Sequence, residues 1–71
     1  MLITYLVKMR KKDFGQRLRE ARERAGLRRE ELAVKLGVSV YSIARWEQGR
    51  NKPLPEFRRR LKEILGVDLD T

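Results

Sequence analysis

The chain has 71 residues, which is one small domain. It carries 18 Lys and Arg against 10 Asp and Glu, a net charge of +8, with no Cys and no His. Those absences exclude zinc fingers, disulfide scaffolds, thiol nucleophiles and imidazole acid–base chemistry, and neither a metal nor a cofactor is expected. A chain that is 41% hydrophobic and 39% charged folds around a thin core. A domain of this size buries only about 60% of its unfolded surface, so self-association helps its stability. Basic charge on a Cys-free chain points to a polyanionic partner in a reducing compartment, and composition leaves nucleic acid and anionic lipid both open.

The longest apolar run, Met1-Leu2-Ile3-Thr4-Tyr5-Leu6-Val7, is far short of the roughly 20 residues that span a bilayer. The charges Lys8, Arg10, Lys11 and Lys12 follow it, whereas a signal peptide places them first. No membrane association is expected, and the predicted location is the cytoplasm, on the nucleoid. Residues 1–12 form an N-terminal extension, and residues 13–71 the domain proper. Ile3, Thr4, Tyr5 and Val7 favour a strand. Two readings stay open: a disordered lead-in, or a dimerisation strand that pairs with its copy in a second subunit.

From Asp13 the pattern is helical, with Phe14, Leu18, Ala21 and Ala25 on one apolar stripe. Asp13 is an N-cap and Gln16 completes a capping box, while Gly26 ends the helix and Leu27 folds back on it. The outer face holds Arg17, Arg19, Glu20, Glu23 and Arg24 in charge pairs that serve mainly solvation. A second helix runs from Arg29 to Leu36 with Leu32, Ala33 and Leu36 inward, and Gly37 stops it. Ser39 caps a third helix, about 39–48, that turns Ile43 and Trp46 inward and closes at Gly49. Pro53 and Pro55 keep residues 50–54 in a loop, and Pro55 suits the first position of a fourth helix. Phe57, Leu61, Ile64 and Leu65 form its stripe, Gly66 and Val67 cap it, and Leu69 closes the base of the core. The expected fold is all-α, a small bundle of four to five short helices, with a short N-terminal strand or extended segment as an option.

Arg29 to Trp46 carries the functional signal. Two helices joined by a three-residue turn cross closely only where the contact residue is small and the turn residue accepts a positive φ. Ala33 and Gly37 meet those demands. Leu32, Leu36, Val38, Ile43 and Trp46 then bury the inner faces, leaving Val40, Tyr41, Ser42 and Arg45 facing away from the core. Such a helix presents its first turns to a major groove. Leu27 to Ser39, followed by Ile43-Ala44-Arg45-Trp46-Glu47-Gln48-Gly49-Arg50-Asn51-Lys52-Pro53, resembles the Cro/C1-type helix-turn-helix family, the lambda-repressor-like domain of phage repressors and small prokaryotic regulators. The resemblance covers about residues 13 to 69.

The resemblance implies that Val40, Tyr41 and Arg45 read base edges, with Arg45 on guanine O6 and N7 and Val40 against a thymine methyl. Ser39 and Ser42 match phosphate-holding positions, and Arg28, Arg29, Arg50, Asn51 and Lys52 clamp phosphates on either side. Arg29 stands where the family commonly has Gln, so it lacks that residue's acceptor oxygen. Arg28 and Leu54 replace polar caps, which lets both helix starts fray at a cost of up to roughly 1 kcal/mol each. Arg22 and Glu47 fall where the family has an ion pair linking the first helix to the end of the recognition helix. Two independent surface charges would contribute little.

Trp46 reads as core before base stacking, and Tyr41 as either a base or a protein contact. Arg58, Arg59, Arg60 and Lys62 read as solvated charge, with Leu54, Phe57 and Leu61 partly in a dimer face. The expected function is a sequence-specific transcriptional regulator that binds double-stranded DNA as a homodimer on a palindromic operator. The alternative is an antitoxin or coactivator-type adaptor that uses the bundle for a protein partner. Carboxylates scattered on solvated faces build no catalytic constellation, so an enzyme is not expected.

Overall fold

The structure is a computed structural model that describes residues 13–69. Four helices occupy that span: α1 Phe14–Arg24, α2 Arg29–Leu36, α3 Val40–Glu47 and α4 Pro55–Leu65. Residues 1–12, for which a lead-in or a strand is expected, lie outside the described residues.

Local chemistry sets the helix ends. The Asp13 carboxylate accepts the Gln16 N–H at 2.9 Å while Gln16 Oε1 accepts the Asp13 N–H at 3.3 Å, a complete capping box. At α2 the Arg28 guanidinium has no acceptor to offer. Glu31 supplies the reciprocal half alone, accepting the Arg28 N–H at 2.7 Å, so one orphan donor is satisfied where fraying was expected. Leu54 gives α4 no side-chain cap, and Pro55 removes one orphan N–H by having none. Gly37 sits at φ +80°, the left-handed conformation that lets the chain leave α2 and enter α3 within three residues.

α3 packs against both α1 and α2, and α4 packs against α2. Leu18, Leu32, Leu36, Ile43 and Leu61 are fully buried, and Phe14, Ala21, Ala33, Trp46 and Leu69 nearly so. Trp46 is a core residue whose ring lies 6.1 Å from that of half-buried Phe57. Leu69 closes the core, and its carbonyl accepts the Arg17 Nε–H at 3.1 Å. Arg17 is thereby drawn off the solvated outer face on which the sequence placed it.

Three further expectations need correction. Ala25 is exposed because α1 ends at Arg24 and Ala25 is already its C-cap, one step past the core-facing turn. Leu61 is completely buried within the bundle and has no surface to give a dimer face, unlike Leu54, which is 62% exposed. The arginine run is also more than solvation: Arg58 Nη1 donates to the Pro53 carbonyl at 3.0 Å.

Gly15 is the residue that composition and periodicity leave unremarked. A methyl group there would lie 2.5 Å from the Glu47 carbonyl oxygen and 2.7 Å from that of Trp46, both backbone atoms. α1 therefore rests directly on the last turn of α3. Gly→Ala within an exposed helix ordinarily stabilises by about 0.5–1 kcal/mol. Here overpacking dominates, so Gly15→Ala is expected to destabilise by about 1–3 kcal/mol, lowering the melting temperature by roughly 4–24 °C in thermal unfolding. Ala33→Leu, at a site 4% exposed beneath the α2–α3 contact, is expected to cost a similar amount. A melting temperature that rises for Gly15→Ala would contradict the seating of α1 on α3.

Candidate nucleic-acid interface

α3 is amphipathic across eight residues. Ile43 and Trp46 point into the core, and Tyr41, 72% exposed, and Arg45 stand on the opposite side. Ser39 caps the helix: its Oγ accepts the Ser42 N–H at 3.2 Å, with the two hydroxyls also 3.2 Å apart. Ser39 is exposed and Ser42 half-buried. Val40 does not face fully away from the core as expected. It is half-buried and packs against the core, because the first residue of α3 lies beside the turn from α2.

Cations flank this helix at both ends. Arg28 and Arg29 begin α2, and with Val40, Tyr41 and Ala44 they line an open notch of about 400 Å³ that also includes Arg22 and Glu30. After α3 the chain turns at Gln48-Gly49, where the Arg50 N–H bonds the Arg45 carbonyl at 3.0 Å, and Arg50, Asn51 and Lys52 are exposed.

Beneath the surface lies an ionic cluster. Arg22 Nε donates to Glu47 Oε2 at 2.6 Å and Arg22 Nη2 to Glu47 Oε1 at 3.2 Å, a two-point grip across 25 positions of chain. Arg22 Nη1 donates to the Leu27 carbonyl at 3.0 Å, so the same guanidinium also secures the turn after α1. Hydrogen bonding to Glu47 raises the Arg22 pKa above its ordinary value despite the opposing effect of burial. A third donor was not foreseen: Arg29 Nε reaches Glu47 Oε1 at 3.0 Å. The side chain of Glu47 is 2% exposed, that of Arg22 10% and that of Arg29 41%. No sequence signal points to this contact, since the resemblance gives Arg29 only a phosphate-holding role at a position where the family commonly has Gln.

Among the described residues no group of three or more acidic side chains is arranged to hold a metal ion. No helix among them is long and apolar enough to cross a membrane.

A short second helix, a left-handed glycine and a third helix with one buried and one outward face define a helix-turn-helix. The helix-turn-helix domain family matches residues 13–71, and the chain belongs to that family. It is also similar to a Pyrococcus furiosus protein provisionally named an HTH-type transcriptional regulatory protein, with 46% identity over 55 residues. That match takes in 78% of this chain but only 18% of the relative, so the chain spans less than a fifth of that protein's length.

Removing Arg22 strands a buried carboxylate with a single, half-exposed partner. Breaking a buried pair costs about 3–5 kcal/mol, and the residual Arg29 contact lowers that toward roughly 2–4 kcal/mol for Arg22→Ala. Arg29→Ala, whose side chain is largely screened by water, is expected to cost about 1 kcal/mol or less. Urea unfolding checks both, and equal midpoints for the two variants would contradict the division of labour around Glu47.

Proposed function

We propose that the chain is a sequence-specific DNA-binding regulator of the Cro/C1 type, acting without catalysis and without a cofactor. It works as a homodimer on a palindromic operator, in the cytoplasm on the nucleoid. Residues 39–48 enter the major groove, where Tyr41 and Arg45 read base edges, Arg45 through a fork onto guanine. Val40, half-buried, offers only its outer methyl to a thymine. Ser39, Ser42, Arg28, Arg29, Arg50, Asn51 and Lys52 hold phosphates. The Arg22–Glu47 pair sets the attitude of the reading helix.

One observation carries this reading: Tyr41 and Arg45 project from a helix anchored by Ile43 and Trp46, with exposed cations at its two ends. The +8 charge and the regulator name given to the Pyrococcus relative point the same way. Leu54, exposed before α4, offers apolar surface for a second subunit. Two-fold symmetry then sets the half-sites about 34 Å apart, one turn of the duplex.

Selection of bound sequences from random duplexes, with sedimentation at several concentrations, tests the proposal. The expected result is an enriched palindrome and a dimer. Salt-labile binding without enrichment would favour the adaptor alternative. About four to five phosphates neutralised per subunit should make log K fall with log salt at a slope near −4 per subunit. Arg45→Ala is expected to cost about 1–3 kcal/mol on the enriched site and relax its preference at one base pair. Lys52→Ala should weaken all duplexes alike and flatten the slope by about one unit. Equal losses on operator and random DNA for both variants would overturn the assignment of Arg45 as a reader.

A further inference from the structure

A negative charge next to a DNA-binding surface opposes binding unless it is compensated, and Glu47 is compensated once by Arg22 alone. That guanidinium already meets both carboxylate oxygens. Arg29 is therefore surplus to neutralisation, yet its Nε lies 3.0 Å from Glu47 Oε1 while 41% of its side chain stays in solvent. A planar guanidinium tethered through Nε is fixed in orientation, and its two Nη groups form a fork that matches two phosphate oxygens. The open notch beyond it, about 400 Å³, is shared by Arg28, Arg29, Val40 and Tyr41, so it joins the start of α2 to the outward side of α3.

We propose that Glu47 is a positioning residue that aims Arg29 at a backbone phosphate of duplex DNA. The phosphate clamp at the start of α2 and the last turn of the reading helix then move as one body, because both are tied to a single carboxylate. This inference rests on the DNA-binding reading above and gives Glu47 a role that a lone Arg22–Glu47 strut lacks. A strut fixes the helix angle whichever residue stands at position 29. A positioning carboxylate requires a residue there that, once bonded to Glu47, holds further donors in a fixed plane toward the phosphate, which the planar fork of Arg supplies and the freely rotating ammonium of Lys does not.

The experiment measures equilibrium binding of the whole chain to the enriched duplex and to a random duplex of equal length, between roughly 50 and 200 mM salt. Wild type, Arg29→Lys and Glu47→Gln are compared, with folding of each verified by circular dichroism at the assay temperature. Arg29→Lys keeps the net charge, yet it is expected to weaken both duplexes about tenfold and to lower the salt slope by about one ion per subunit. Glu47→Gln raises the net charge by one, so charge alone demands tighter binding and a steeper slope. Positioning demands the opposite sign, a loss of about threefold or more. Arg29→Lys matching wild type in affinity and slope, or a folded Glu47→Gln that binds more tightly, overturns the proposal. If Glu47→Gln does not fold, Arg29→Lys decides alone, since Arg22 still holds the carboxylate in that variant. A wild-type chain without salt-dependent duplex binding removes the DNA reading and this inference together; wild-type binding with an indifferent Arg29→Lys removes the inference only.

Discussion

The arrangement of the domain depends on one buried carboxylate. Glu47 ends α3, and its oxygens accept three N–H donors from side chains on α1 and α2. An unpaired carboxylate at that depth would be untenable, so the three helices are brought to one point or the charge is left bare. The requirement is geometric as well as energetic, because a forked grip tolerates little change in angle. Apolar burial of Leu18, Leu32, Leu36 and Ile43 drives collapse, but it is non-directional. The Glu47 cluster adds the direction.

The same turn of α3 is held from a second side by backbone packing. At Gly15 the start of α1 comes so close to the carbonyls of Trp46 and Glu47 that no side chain fits between them. Trp46 meanwhile anchors the inner face of that turn against Phe57 of α4. A carboxylate lock, a backbone contact and an aromatic contact thus converge on two consecutive residues. The outward side of α3 takes no part in any of them, and that separation leaves Tyr41 and Arg45 available to a partner.

Much of this was legible in the sequence wherever the governing chemistry is local. Asp13 with Gln16, Ser39 and Gly37 mark helix ends through bonds spanning three or four residues and Pro55 by lacking an N–H, and the helical spacing within each element, Leu32 with Leu36 and Ile43 with Trp46, marks the core. Arg22 and Glu47 were reachable only through family resemblance, since no periodicity relates positions 25 apart. Contacts made by the folded surface left less trace. Gly15 carries no pattern that distinguishes it from any helical glycine, and the Arg29–Glu47 bond depends on how α2 is set against α3. The Arg17 bond to the Leu69 carbonyl likewise exists only once the C-terminal residues return to α1. The misplacement of Ala25 has a different origin: its stripe is continuous in sequence, but the helix stops one residue short of it.

An eight-residue helix such as α3 has almost no stability of its own, because nucleation costs more than so few internal hydrogen bonds return. Its conformation and its orientation are therefore both borrowed from the bundle. A longer helix could keep its shape while its docking loosened; α3 cannot, so its outward face is only as well defined as the contacts at Ile43, Trp46 and Glu47. A buried ion pair, a tryptophan and a glycine contact accordingly converge at the end of this short helix. The orientation of Tyr41 and Arg45 is set by Ile43, Trp46 and Glu47, so the stability of the domain and the definition of its outward face rest on the same few atoms.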